Sequence, residues 1–333
     1  MLSPSSAKHA LCLALWVLVT LPTISVCQIL DLRDLRADEI RSLDRGKTVV
    51  ILQSGILEEH GPYLPIYTDG WTNEYLTKQL AEALVTRTGW KVLIYPVIPL
   101  GSGGANELGR KRSFPGTFAV RPVTLRAVYL DLADALGQQG FRWVFLVDNH
   151  GAPSHSRALF DACDYYRDIY GQTMVHFFGL EPIDRGWQDT QRLWNEQARR
   201  ENGFLTHADM LETSFMLFLR PFATSPAYAD ARSYTAPTMA DVVRVAEGSD
   251  WAGYVGAPRL ATAALGAQAL RDLSGRIAKL ALEILDGRDA QSIPRRAEVV
   301  KSGPEQDRVD TAAASSAAEL EKTQTDWLKK HTR

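Results

Sequence analysis

Four short apolar runs constrain the fold of this chain more than any other feature: TVVILQSG (48–55), WKVLIYPVIPLG (90–101), FRWVFLVDNHG (141–151) and TMVHFFGL (173–180). Their β-branched and aromatic content reads as buried strands. Between them lie TNEYLTKQLAEALVTRTG (72–89), VTLRAVYLDLADALGQQG (123–140) and SHSRALFDACDYYRDIYG (154–171), patterned as helices. The first two run out on Gly89 and Gly140, where helices stop. Strands alternating with helices of this length need crossover connections, so the expected fold class is α/β, with a mostly parallel sheet covered on both faces. No internal repeat of solenoid or propeller period is present.

After residue 180 the pattern turns helical. WQDTQRLWNEQARR and THADMLETSFMLFLR are expected helices, the second ended by Pro221, and a long one is expected around ATAALGAQALRDLSGRIAKLALEILDG. Beyond residue 297 the chain is rich in Ala, Ser, Glu, Lys and Asp, with little to bury. Residues 28–296 are therefore expected to form one domain, and 297–333 a charged tail, helical or disordered.

The first 27 residues stand apart. Lys8 is their only charged side chain, and ALCLALWVLVTL (10–21) is followed by Pro22 and small residues up to Cys27. That is the build of a cleaved signal peptide, and it points to a secreted or periplasmic protein. The apolar run is short for a stable membrane span, which needs about 20 residues; a retained anchor is the alternative. Cleavage leaves one cysteine, Cys163, set in a helical pattern as a small buried hydrophobe. With 45% hydrophobic and 23% charged residues and a net charge of −2, the composition is globular and offers no basic surface for nucleic acid.

Metal-competent side chains gather where the strands end, the place where open α/β sheets bind ligands. In EEHGPYLPIYTD (58–69), Glu58 and His60 point the same way in an extended segment, and the Gly-Pro turn can bring Asp69 back onto them. His150 closes the strand WVFLVDNHG, and His207 and Glu212 lie in HADMLETS. Carboxylate and imidazole together suit Zn²⁺, Mn²⁺ or Fe²⁺ rather than Ca²⁺ or Mg²⁺. A bridging Asp flanked by Glu and His would make a two-metal hydrolytic site. Each group also has an ordinary alternative: a hydrogen-bonded structural histidine, a turn-shaping Asp69, a surface Glu212.

These motifs carry a resemblance. SGILEEHGPYLPIYTD resembles the signature of the creatininase family of metal-dependent amidohydrolases, and SFPGT (113–117), VDNHG, HADMLETS and GYVGAPRLATAALG follow in the family's order. The resemblance covers about residues 30 to 290. It implies a three-layer α/β/α sandwich, a homo-oligomer that is often a hexamer, and two divalent metal ions per subunit. It implies that Glu58 and His150 hold one ion and His60 the other, that Asp69 bridges them, and that Glu212 is a ligand or supports one. His207 then matches the catalytic histidine, passing a proton to the leaving nitrogen of a small-molecule amide after attack by a metal-activated water.

Departures from the family pattern bear on the substrate. Ala152 stands where creatinine-hydrolysing members have a glutamate that completes the second metal site, and Tyr63 replaces the usual histidine after Gly-Pro. The basic run Arg110-Lys111-Arg112 precedes SFPGT, either as a solvated loop or beside an anionic substrate group. The expected activity is hydrolysis of a non-peptide C–N bond, in a cyclic amide or formamide. An ester or lactone hydrolase, or a non-catalytic binding protein of the same fold, are the alternatives.

Overall fold

In the computed structural model, which describes residues 28–203, 207–299 and 303–331, five parallel strands form one sheet in the order β1–β3–β2–β4–β5. They are β1 (Ile29–Asp31), β2 (Thr48–Gln53), β3 (Lys91–Ile94), β4 (Trp143–Val147) and β5 (Thr173–His176). The last four fall in the expected runs. The edge strand β1 was not expected, since three residues are too few to show a period; it exists because it pairs with β3, Ile29 opposite Val92. The expected signal peptide lies outside the described residues.

Successive side chains of a strand point to opposite faces, and here both faces are covered. Val49 and Ile51 of β2 enter one core while Val50 and Leu52 enter the other, all four fully buried. Strands buried on both faces read as continuous apolar runs, which is why the sequence shows no alternation there.

Among the described residues there are eleven α-helices, several of which cover the sheet. A short α1 (Ala37–Arg41) precedes β2. One core is closed by α2 (Thr68–Leu84), which follows β2, together with two helices from the later part of the chain. The other is closed by α3 (Pro122–Gln138) and α4 (Pro153–Tyr170), through Leu125, Tyr129, Leu159 and Tyr166. After β5 come α5 (Glu181–Asp189), α6 (Glu196–Glu201), α7 (Met210–Leu219), α8 (Met239–Glu247) and α9 (Ala263–Leu285). The two that join α2 are α5 and α9, with Ile183 from the first and Leu273, Ile277, Leu280 and Ile284 from the second. The architecture is thus a three-layer α/β/α sandwich. Finally α10 (Arg296–Val299) leads to α11 (Pro304–His331), so the tail is helical.

Helix starts and stops are local matters. Pro122 and Pro153 open α3 and α4 at the first helical position, where a missing N–H costs nothing. α4 ends on Gly171 in the left-handed conformation (φ 64°). α2 stops earlier than expected, at Leu84, so Gly89 sits in the turn beyond it rather than at its cap. Cys163 is buried in the second core, and burial pushes its thiol up to about 12, which leaves it inert at neutral pH.

The crossing of α7 and α9 is unusually close. A Cβ on Gly266 would lie 2.0 Å from the Ser214 carbonyl oxygen. Ser214 itself links the helices, donating to the Met210 carbonyl (2.6 Å) and accepting from the Thr262 N–H (3.0 Å). Gly266→Ala is expected to destabilise by about 1–3 kcal/mol through overpacking, read as a lower urea midpoint. Gly275→Ala, on the same helix with nothing within 4 Å of the new Cβ, is the control. It is expected to stabilise by up to about 1 kcal/mol through helix propensity.

Candidate metal centre

Three chain segments meet at the carboxyl ends of β2 and β4. The chain leaving β2 doubles back, with the Glu58 N–H on the Ile66 carbonyl (3.0 Å) and the Thr68 N–H on that of Pro65 (3.1 Å). Gly61 makes the bend in the left-handed region (φ 63°), against Tyr254. This return places Asp69, in the first turn of α2, opposite Glu58 and His60. β4 delivers His150 three residues past its end. α7 delivers Glu212 from its first turn, capped by Asp209, whose carboxylate accepts from the Leu211 and Glu212 N–H groups (2.7 and 3.0 Å). Just ahead, Ala208 occupies the left-handed region at φ 47°, a strained position for an alanine, and donates its N–H to Glu212 Oε2 at 2.5 Å.

The result is two trios sharing the Asp69 carboxylate, while a third grouping, Glu58 and His60 with His207, draws one residue from each. Asp69 Oδ2 lies 3.3 Å from His150 Nδ1, which lies 3.2 Å from Glu58 Oε2. Asp69 Oδ1 lies 3.6 Å from His60 Nε2, which lies 3.6 Å from Glu212 Oε2. Within each trio the candidate ligand atoms are all within 4.8 Å of one another, and every residue is buried.

Neighbouring backbone fixes the orientation of each ligand. His60 Nδ1 donates to the Glu58 carbonyl (3.1 Å) and His150 Nε2 to the Ser102 carbonyl (3.0 Å), which turns the remaining ring nitrogens, Nε2 and Nδ1, into the site. The Ala105 N–H holds Glu58 Oε1. His60 Nε2 and Asp69 Oδ2 are buried without a hydrogen-bond partner. Unpartnered, converging donors of carboxylate and imidazole type fit a divalent cation at each trio.

The charges are interdependent. Burial alone would raise Asp69, yet His150 and His60 hold its carboxyl far below the usual range. Burial likewise opposes charge on His60, but Asp69, Glu212 and Glu58 lift it to about 10, and His150 is raised well above its ordinary value by Glu58 and Asp69. Glu212 is raised, chiefly by burial. Without a cation, protons on the histidines balance the carboxylates; a bound cation takes over that role and displaces them.

All six residues singled out in the sequence meet here. His207 joins from beside α7, its ring 4.7 Å from that of His60 and its Nε2 3.4 Å from Glu59 Oε1. Ala152, the N-cap of α4, contributes no ligand, and the trio around His60 is closed by Glu212, from a distant part of the chain.

Several further residues support these ligands. Glu59 is buried, accepts from the Gly61 N–H (3.0 Å), and is packed so tightly that a Cβ on Gly253 would fall 2.0 Å from its Oε2. The doublet Glu58-Glu59 was its one visible signal. Behind His150, the Ser102 N–H donates to His155 Nδ1 (3.3 Å), and His155 Nε2 faces Asp148 Oδ2 (3.3 Å). That pair supports His150 through one backbone unit. The basic run is largely spent on structure. Arg110 pairs with Glu247 (3.0 Å), and Lys111 donates to the Ala246 and Gly248 carbonyls (2.9 and 3.2 Å) and lies over Trp251.

Fold and site together define a class, an α/β/α hydrolase with a carboxylate–imidazole centre. Among solved structures the chain is similar to a creatinine amidohydrolase (creatininase), at 21% identity and TM-score 0.58, covering 77% of this chain and 98% of that one. It is similar to a putative creatinine amidohydrolase from Bacteroides fragilis, at 20% identity and TM-score 0.55 over 79% and 99%. It is also similar to a manganese creatininase, at 22% and 0.58 over 77% and 98%. No curated relative matches the sequence. The family model described as creatinine amidohydrolase matches residues 33–281. The chain belongs to the creatininase family, hydrolases of C–N bonds other than peptide bonds.

Asp69→Asn keeps the side chain's volume but removes the charge shared by both trios. Bound metal, measured by elemental analysis after loading with Zn²⁺ or Mn²⁺, is expected to fall to one ion per chain or fewer with the far-ultraviolet circular dichroism unchanged. Two ions retained in the variant would mean that Asp69 only shapes its turn.

Proposed function

We propose that the protein hydrolyses a small non-peptide amide, a cyclic amide or a formamide, using two divalent ions. One is held by Glu58, Asp69 and His150, the other by His60, Asp69 and Glu212. The observation that carries the proposal is Asp69, buried with one oxygen toward each histidine. Relatives of the fold described as manganese and zinc–zinc forms agree with such a centre. When bound, the ions would polarise a carbonyl and bring the pKa of water to about 7.

The chain's own groups do the rest. His207 is the proton carrier. Burial disfavours its charge, but Glu58 and Glu59 outweigh this and raise its pKa above the ordinary histidine value. Its Nε2 is buried, without a hydrogen-bond partner, and faces Glu59. In this reading Glu59 keeps the ring in place while the proton passes to the departing nitrogen, the role of a positioned general acid. His207→Ala is expected to leave metal content near wild type and to lower kcat by roughly a hundred- to ten-thousand-fold. Amides with good leaving groups, which need no proton, should suffer much less. Equal small losses on good and poor leaving groups would move the acid elsewhere, Glu59 being next in line.

We further propose that the chain is exported and assembles as a homo-oligomer, on the strength of residues 1–27 and the family resemblance. Protein recovered from the periplasm or medium should begin near Gln28 and run larger than a monomer in light scattering. Met1 retained on cytoplasmic protein would overturn the export reading.

A further inference from the structure

A cleft of about 610 Å³ lies between segment 106–126, the start of α4 and the last long helix, α11. Its inner wall is the backbone that carries the metal centre. Asn106 follows Ala105, whose N–H holds Glu58; Thr117 Oγ1 accepts from the Glu59 N–H (3.1 Å); the Phe118 N–H donates to the Leu57 carbonyl (2.8 Å). The outer wall is α11, which lies beyond the residues matched by the family model. Its Asp310, Ala313, Ala314, Ala317 and Glu321 recur at helical spacing along the cleft. Val309, buried, and an ion pair from Glu321 to Arg121 (3.2 Å) hold the helix to the body. The small alanine side chains leave the space between the walls open.

What lines the cleft has a definite chemistry. Arg121 is taken by Glu321, and Arg126 by Asp161 at 3.4 Å. Arg112 and Arg157 also line it, and among the described residues neither has a carboxylate partner. Phe118 is 63% exposed and Val123 41%, a large apolar surface for a groove otherwise rich in charge. Two acids oppose the arginines: Asp310 on α11, which has no cationic partner among the described residues, and Glu107 near the inner end, which burial pushes up to about 7.

We propose that this cleft binds the substrate, and that the substrate is an amide with an apolar body and an anionic end. Phe118 takes the body, Arg112 and Arg157 take the anion, and α11 forms the outer wall. The identification rests on the amide-hydrolase reading above, but the cleft can be tested without it.

The test uses the metal-loaded full chain and two matched probes, formanilide and 4-formamidobenzoate. Wild type is expected to favour the carboxylate-bearing probe by tenfold or more in kcat/KM, with the preference shrinking as salt rises. In the double variant Arg112→Gln/Arg157→Gln the ratio should fall to near one, mainly through KM, at unchanged metal content. Ala317→Trp, which fills the cleft from the α11 side, should raise KM for both probes. Equal kcat/KM for the pair in wild type, or a preference that survives the double variant, overturns the proposal. If neither probe is cleaved, the formamide reading fails at this point and calorimetry reads the cleft instead. There 4-acetamidobenzoate should bind wild type more tightly than acetanilide, and the double variant should lose the difference; equal affinities would overturn the cleft assignment.

Discussion

The Asp69 carboxylate, buried between two histidines and common to two ligand trios, is the constraint that the rest of the structure serves. A charge taken out of water costs several kcal/mol unless it is paired or bound to a cation. Here four buried carboxylates (Glu58, Glu59, Asp69 and Glu212) stand against three histidines, so the region depends on positive charge, whether from protons or from metal. No packing of apolar side chains could stabilise such a cluster. It persists because the surrounding backbone holds each group in one orientation.

Those orientations come from backbone groups that no secondary structure consumes. The loops leaving β2, β3 and β4 end their ladder pairing at the carboxyl ends of the strands, and their free N–H and C=O groups turn to the site. Ser102 is the clearest case: its carbonyl accepts from His150 and its N–H donates to His155, so one peptide unit couples the centre to the buried Asp148–His155 pair. Ala208 shows the cost of this precision, an alanine held at positive φ so that its N–H reaches Glu212. The close crossing at Gly266 then fixes α7, and with it Glu212, against the frame of α9.

The outer parts of the molecule determine what can reach the centre. Arg110 and Lys111, which looked available for a ligand, are bound to the chain's own carboxylate and carbonyls. The cations left facing a cavity are instead Arg112 and a residue from α4, Arg157, which sequence proximity would never have paired. The tail helix that completes the cavity has little apolar surface of its own and is held by a single buried Val309 and the Arg121–Glu321 pair. If the cleft seats the substrate as proposed, substrate range can change through α11 while the centre stays as it is.

The sequence by itself determined the α/β class, the parallel sheet and the six side chains of the candidate centre. Strands buried on both faces must be continuously apolar, and ligands must be chemically competent wherever they end up. The glutamate doublet was visible too, but its second member has a role only because His207, far along the chain, packs against it. The tertiary structure decided which carboxylate completes the trio around His60. Positions 60 and 212 are remote in sequence, and only the docking of α7 on α9 brings Glu212 within reach of His60 and Asp69. It also decided the edge strand β1, the helical state of the tail and the fate of the basic run. Each of these depends on long-range pairing or burial, which local composition does not encode.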